Sequence, residues 1–307
     1  MNWIVRSMKL VYDNVYVVKP YDPHADDCCV YMIDTKSEDG LVLIDVGLNI
    51  EPIQVIEKEG FYLKDIRNCL ITHGHLDHFG ACFKLKKFNE NIKFYAHELD
   101  ADQIEQKPTG QYIEQYYGDY KYQPVKLAKR IKSDNEILKF GKFEFRCIHI
   151  PGHTPGSVAY LLEIRKKKIL FGGDLPGVVL NFRGDNLEEY LKSMQKLLDF
   201  NIDILCEGHE DIIEPAKKVK KFIKKYMKIN QKLNLYIEEP HNVEILLDLI
   251  LISCELEFFD NALDFCTYLL EIEPNNVKGQ ELLQKIIKQN PQKIDWIKNL
   301  INESTKK

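Results

Sequence analysis

Seven side chains are spaced so that together they could hold metal ions, and four of them fall within six residues. The segment Thr72-His73-Gly74-His75-Leu76-Asp77-His78-Phe79-Gly80 follows an apolar run at 69–72. A turn at the end of a buried strand needs one or two polar residues, not four. Imidazole and carboxylate together suit zinc, and also iron or manganese. His73 and His75, alternate residues of an extended segment, can point the same way. Asp77 and His78 then open the next helix and can reach the other side. The remaining candidates have similar settings. His153 lies in Ile150-Pro151-Gly152-His153-Thr154-Pro155-Gly156, Asp174 ends Leu170-Phe171-Gly172-Gly173-Asp174, and His209 ends Ile204-Leu205-Cys206-Glu207-Gly208-His209. Each follows an apolar strand and comes with glycine, which lets backbone approach a ligand closely. Strand ends on one edge of a sheet are where α/β proteins assemble sites.

The elements that must position these residues read as two similar halves. Alternating or apolar runs predict strands over 8–18, 28–34, 41–44, 69–72 and 92–96, then over 143–150, 158–164, 169–171 and 202–206. Pro52 suits the first turn of a helix to about residue 59. Further helices are expected over 79–88 and 187–198. Strands and helices mixed through two halves suggest a layered α/β domain with a core of two sheets. Residues 109–124 differ: Tyr112, Tyr116, Tyr117, Tyr120 and Tyr122 crowd a stretch of little periodicity. They read either as a surface excursion packed on the domain or as an aromatic lid over a pocket.

Past Glu214-Pro215 comes a helix with eight lysines between Lys217 and Lys232 and an apolar stripe of Val219, Phe222, Ile223, Tyr226 and Met227. A lysine-rich solvated face is the default. Glu239-Pro240-His241 marks the expected boundary between a domain of residues 1–238 and a helical extension of residues 239–307. Helical stretches are expected over 243–256, 261–272 and 277–288. Residues 261–276 resemble the second helix and exit of a tetratricopeptide repeat, in a single copy that cannot form a solenoid. Its apolar faces predict docking on the first domain or on a second chain, giving a homodimer.

Composition limits the alternatives. The chain has 307 residues, 45% apolar and 29% charged, and 42 basic against 47 acidic residues give a net charge of −5. It is long enough to bury a full core. Its mildly acidic balance gives no global attraction to nucleic acid or anionic membrane. No window reaches the 18 or more apolar residues of a membrane span. The first 18 residues do not read as a signal peptide. The eight cysteines include no C-x-x-C pair and mostly lie in apolar runs. They read as reduced core residues, with the cytoplasm as the expected address.

The order H-x-H-x-D-H, P-G-H-T-P-G, G-G-D and G-H resembles the metallo-β-lactamase superfamily, in its glyoxalase II and lactonase-like branch, over roughly residues 8–235. The resemblance implies an αββα sandwich followed by a small all-α extension. It implies that His73, His75 and His153 hold one metal, that Asp77, His78 and His209 hold a second, and that Asp174 bridges both. Asp45, at the end of an earlier strand, would orient the histidine loop. The implied activity is that of a metal-dependent hydrolase with two zinc ions, or iron or manganese in their place. A dinuclear-metal-bound hydroxide would act on an ester, lactone, thioester or β-lactam bond of a small molecule. Asp77 would orient that hydroxide and take its proton.

The departures are specific. Bridging Asp174 with the His75 and His78 pair fits thioester or lactone hydrolases better than authentic β-lactamases. Many lactonases place a tyrosine where this chain has Gly177. The basic residues with which glyoxalase II grips glutathione have no assignable counterparts. Two alternatives share the fold: a mononuclear-iron persulfide dioxygenase using His73, His153 and Asp174, and a nuclease or phosphodiesterase supported only by the lysine helix. Among other histidines, His149 reads as core or as support for the ligands, His97 as a helix cap or surface residue, and His241 as exposed. His24 reads as a loop residue, with a place in the cleft lining as the alternative. Asp22, Asp26 and Asp27 read as loop residues.

Overall fold

The apolar runs of the first half become neighbours in one sheet. In the computed structural model, which describes residues 8–19, 27–106, 120–177, 179, 185–256 and 258–289, strands follow chain order across this sheet. They are β1 (Lys9–Tyr12), β2 (Val15–Val18), β3 (Val30–Asp34), β4 (Leu41–Ile44), β5 (Ile66–Leu70), β6 (Lys93–His97) and β7 (Lys129–Ile131). The first four run antiparallel, and β4 to β7 run parallel. The single strand expected over 8–18 is a hairpin, because Asp13 and Asn14 turn the chain with Asp13 at φ +46°. Asp is among the few residues that tolerate that conformation.

The second sheet has the order β12-β11-β10-β9-β8, with β8 (Glu136–Phe140), β9 (Phe143–His149), β10 (Val158–Ile164), β11 (Lys167–Gly173) and β12 (Ile204–Glu207). Only the β11–β12 pair is parallel. The two sheets face each other through Ile33, Val42, Ile44 and Leu70 on one side and Phe145, Tyr160, Phe171 and Cys206 on the other. The opposite face of the first sheet, through Met32, Leu43, Cys69 and Phe94, packs on helices. Strand β4 is therefore buried on both faces, which is why it reads as an unbroken Leu41-Val42-Leu43-Ile44 run.

Those helices are α1 (Glu51–Lys58), α2 (Leu76–Phe79), α3 (Cys82–Lys86) and α4 (Ala101–Glu105). Helix α1 buries Pro52, Ile53, Val55 and Ile56, with Glu51 in its first turn and Lys58 in its last, charges that suit the helix dipole. The helix expected over 79–88 is divided into α2 and α3. At the break Gly80 sits so close to Leu48 that a Cβ would lie 3.3 Å from the Leu48 Cα. On the second sheet, α5 (Leu187–Leu198) buries Tyr190, Met194 and Leu197, and Ser193 Oγ donates to Pro151 O at 2.8 Å. Helix, sheet, sheet and helix make four layers.

The chain divides into two compact units, one of residues up to 179 with 188–221, the other of residues 180–187 with those from 222 onward. The division falls within α6 (Ala216–Glu238). In the second unit α7 (Val243–Glu255), α8 (Phe259–Ile272) and α9 (Val277–Gln289) follow. Helix α7 is capped by Asn242, whose side chain accepts from Glu244 N and Ile245 N. Its Leu246 and Ile250 pack with Leu263, Cys266 and Leu283, while its Ile245, Leu249 and Ile252 pack with Tyr226 and Ile229 of α6. The second apolar face that pointed to a second chain is thus covered by the lysine helix. Among the described residues no helix is long and apolar enough to cross a membrane.

Candidate metal centre

Past Leu70 the chain leaves the first sheet where the second sheet reaches it. Ile71 N donates to Tyr95 O (2.8 Å), Val158 N to Thr72 O (2.9 Å) and the Tyr160 hydroxyl to Ile71 O (2.7 Å). Gly208 N donates to Gly173 O at 2.9 Å, which sets Asp174 beside the segment leading to His209. Gly173 has φ +57°, and a Cβ there would lie 2.6 Å from Thr72 Oγ1, so glycine is required. The β9–β10 connection brings in His153.

All seven sequence-predicted ligands meet, in two sets that share Asp174. His73, His75, His153 and Asp174 each offer one ligand atom within 4.8 Å of the others, and so do Asp77, His78, Asp174 and His209. In the first set Asp174 Oδ2 lies 3.4 Å from His153 Nε2 and 3.7 Å from His73 Nε2, and His153 Nε2 lies 3.0 Å from His75 Nδ1. In the second, Asp174 Oδ1 lies 3.0 Å from His78 Nε2 and 3.3 Å from His209 Nε2. Asp77 Oδ2 lies 3.3 Å from each of the same two nitrogens. Asp174 turns one oxygen to each set.

The donor atoms fit cations better than they fit one another. His73 Nε2, His78 Nε2 and Asp174 Oδ1 are buried without a hydrogen-bond partner. His78 Nε2 and Asp174 Oδ1 approach to 3.0 Å without hydrogen-bond geometry, as neighbouring ligands of one ion do. Each buried polar atom left so costs about 1–3 kcal/mol unless something else satisfies it. The ring orientations agree. Asp45 Oδ2 accepts from His78 Nδ1 at 2.9 Å, so the Nε2 lone pair faces the site. Asp45 also accepts from Thr72 N and Thr72 Oγ1, both at 2.8 Å, and holds left-handed backbone at φ +56°. Backbone held in that region by a non-glycine residue is strain of the kind concentrated at functional sites. His209 is the most open of the seven, its side chain 35% exposed against 1% for His73 and 0% for His78.

Electrostatics divide the histidines. Burial, reinforced by the neighbouring imidazoles, pushes His75 down to about 3 and holds His73 well below its ordinary range. Burial acts the same way on His78 and His209, but nearby carboxylates, Asp174 foremost, outweigh it and raise His209 to about 11 and His78 well above its usual value. Burial would raise Asp77 and Asp174, yet His78 beside them keeps both well below the carboxylate range. Without cations the second set holds protons in their place.

The other sequence-marked residues spread out. His149 stays outside both sets, with Nε2 at 2.9 Å from Pro155 O. His97, read as a cap or surface residue, is instead the buried last residue of β6, stacked 4.1 Å from the His149 ring at an interplanar angle of 4°. Strand β6 runs one residue further than its apolar pattern. The Tyr120 hydroxyl donates to Leu48 O (2.6 Å) and Tyr122 to Ile104 O (2.7 Å), so these two rings pack on the domain. His24, Asp22, Asp26, Tyr112, Tyr116 and Tyr117 lie outside the described residues. His241 Nδ1 lies 3.0 Å from the Tyr268 hydroxyl.

Several residues near the site carry no local sequence signal. Asp27, read as a loop residue, is buried, accepts from Leu48 N at 2.6 Å and is raised by burial to about 6. Cys28 lies beside Asp45 and His78 in a third cluster on the Nδ1 side of that ring. Burial pushes its thiol well above the usual range. Glu207, fully buried, accepts from His209 N at 2.7 Å, and burial raises it to about 7. Asp100 is a fourth.

Known proteins are similar to this chain in sequence and in fold. The family model described as Metallo-beta-lactamase superfamily matches residues 25–209. The chain is 31% identical over 203 residues to hydroxyacylglutathione hydrolase GloC of Haemophilus influenzae, covering 64% of this chain and 90% of that protein. It is 23% identical over 228 residues to the probable polyketide biosynthesis zinc-dependent hydrolase BaeB of Bacillus velezensis, covering 71% of this chain and 89% of that one. Its fold matches that of MEM-A1, a subclass B3 metallo-beta-lactamase isolated from a soil metagenome library, with TM-score 0.61 and 19% identity over 76% of this chain and 97% of that one. With a sandwich that carries its metal-binding residues on one edge, and a match extending from before β3 through His209, the chain belongs to the metallo-β-lactamase superfamily of metal-dependent hydrolases.

Proposed function

We propose that the chain hydrolyses an acyl thioester, or a related ester or lactone, with two divalent cations, zinc in the first place. Asp174, offering one carboxylate oxygen to each of two complete ligand sets, carries this reading. His73, His75 and His153 would hold one ion, and Asp77, His78 and His209 the other. When bound, such ions lower the pKa of a water towards neutrality and polarise a carbonyl oxygen.

The chain's own residues supply the rest. Asp77 Oδ2 faces the same point as Asp174 Oδ1, so its carboxylate is placed to accept the proton of the attacking water and return it to the departing thiol or alcohol. Thr72 and Ser157, the hydroxyls beside His73 and His153, are engaged with Asp45 and Thr154. Water is therefore the nucleophile, with no covalent acyl intermediate on a side chain. At Gly177 a Cβ would lie 2.7 Å from His153 Nδ1, so the close packing there leaves no place for a side chain.

Thioesters come first among substrates because acylglutathione, named in the GloC relative, is a thioester. The complete second set favours two ions over the single iron of a persulfide dioxygenase. A nuclease finds less support: Lys225 and Lys232 on the lysine helix pair with Glu255 and Asp248. The test is metal content of the purified chain, then turnover of thioester, lactone, cephalosporin and phosphodiester substrates. Two zinc ions per chain with preferred thioester turnover is the expected result. One iron per chain with oxygen consumption on a persulfide would replace this reading.

A further inference from the structure

Asp100 sits at the N-terminal boundary of α4 without capping it. Aspartate there normally turns its carboxylate onto the first free N–H groups of its own helix. Here no side-chain capping bond forms. The carboxylate, buried at 4% exposure, reaches two other loops instead. Its Oδ2 accepts from Gly74 N at 2.7 Å and from Thr154 Oγ1 at 2.6 Å, and its Oδ1 accepts from Gly156 N at 2.8 Å. Gly74 lies between His73 and His75, and Thr154 follows His153. One carboxylate therefore joins the two segments that carry the three histidines of the first ligand set.

The surroundings are built for that contact. A Cβ on Gly156 would lie 2.5 Å from Asp100 Cγ, and a Cβ on Gly74 would lie 3.1 Å from Asp100 Cβ. Both glycines thus allow the loops to close on the carboxylate. Thr154 gives its proton to Asp100, so its oxygen is left to accept from the Ser157 hydroxyl at 2.8 Å, while Thr154 N donates to Ser157 Oγ at 3.1 Å. Every donor in the network has one acceptor, an arrangement that fixes a geometry more firmly than separate bonds would.

We propose that Asp100 is a positioning residue that sets the spacing between the His73–His75 pair and His153, and so the metal affinity of the first set. The idea rests on the two-set reading above. Asn has nearly the same shape, but it can present only one acceptor oxygen and must turn an N–H group towards one of the three donors. Asp100→Asn should therefore loosen one loop without removing any ligand.

The test measures metal binding by chelator competition and backbone amide exchange in the metal-free chain. Asp100→Asn should weaken the first set's metal affinity about 10–100-fold, as loss of a bond supporting the ligands does. A His209→Ala background, which lacks a ligand of the second set only, isolates that effect. The variant should also speed exchange at one of the two glycines, Gly74 or Gly156, while β-strand amides stay protected. Thr154→Val, which removes one of the three donors, should give a smaller loss of affinity and tests the network if Asp100→Asn folds poorly. Unchanged affinity, or an equal loss in both sets, would overturn the proposal. So would unchanged exchange at the two glycines. If the wild-type chain takes up no metal, the two-set reading fails, while the exchange measurement still decides whether Asp100 holds the loops.

Discussion

Oδ2 of Asp45 accepts the Nδ1–H of His78 at 2.9 Å, and the same oxygen accepts from Thr72 Oγ1 at 2.8 Å. A single carboxylate thus fixes the tautomer of one candidate ligand and the exit of the loop that carries three others. Removing it should release His78 rather than unfold the sandwich. Asp45→Ala should lower metal affinity of the second set about 10–100-fold. Chelator competition checks this, and circular dichroism should show the strands intact.

The bridge gives a sharper contrast. Asp174→Ala removes an oxygen from both sets, so metal content and rate should fall together. His149→Ala removes the ring stacked on His97 and the contact with Pro155 O, neither of which is a ligand. It should lose about 1 kcal/mol of stability and keep its metal. Equal metal loss in the two variants, measured by elemental analysis, would place His149 among the ligands.

Protonation makes metal uptake depend on pH. His78 and His209 are raised in the metal-free site, His209 to about 11, so both carry protons at neutral pH. A ligand nitrogen must be free of its proton, and uptake should release protons and strengthen as pH rises. Titration calorimetry in buffers of different ionisation heat measures the release; heats independent of buffer would contradict it. In the metal-free fold the raised histidines add stability that is complete below the unfolded value of about 6.5 and is lost as pH rises towards their folded values. His73 and His75 are lowered, His75 to about 3, so they add stability above about 6.5 that is lost as pH falls. The melting temperature of the metal-free chain should therefore peak near neutrality and fall on both sides.

Tyr120 separates packing from catalysis. Its hydroxyl donates to Leu48 O at 2.6 Å and lies 3.1 Å from Gly80 O. Tyr120→Phe leaves both carbonyls without that donor, at about 1–3 kcal/mol. Thermal stability should drop while kcat/KM for a thioester stays unchanged. A selective rise in KM would instead put this ring at the substrate.

The seven side chains that meet at the site were legible in the sequence because each announces itself locally: a polar cluster after an apolar strand, with glycine beside it. What supports them was not. Asp100 lies in His97-Glu98-Leu99-Asp100, which reads as an ordinary helix entry, and its partners are 26, 54 and 56 residues away. His97 was misplaced because a strand's last residue and a helix's first look alike when one apolar run ends. Strands β7 and β8 gave weak patterns, since Lys129, Arg130, Ile137 and Lys139 point to solvent. In the second unit, α7 is apolar on two faces because it lies between α6 and the α8–α9 pair, a reason that one helix alone cannot display.

Asp174 also sets an order of events. A chain made only as far as residue 100 would offer His73 and His75 to one ion and Asp77 and His78 to the other, with no carboxylate between them. Asp174 must come from the end of β11, and His209 from the end of β12, the last strand of the sandwich. On the two-set reading, an ion that found only the early ligands would gain little, and most of its binding energy would be delivered after the two sheets have met. Metal would then act as a latch on a sandwich already closed, slowing its reopening instead of guiding its assembly.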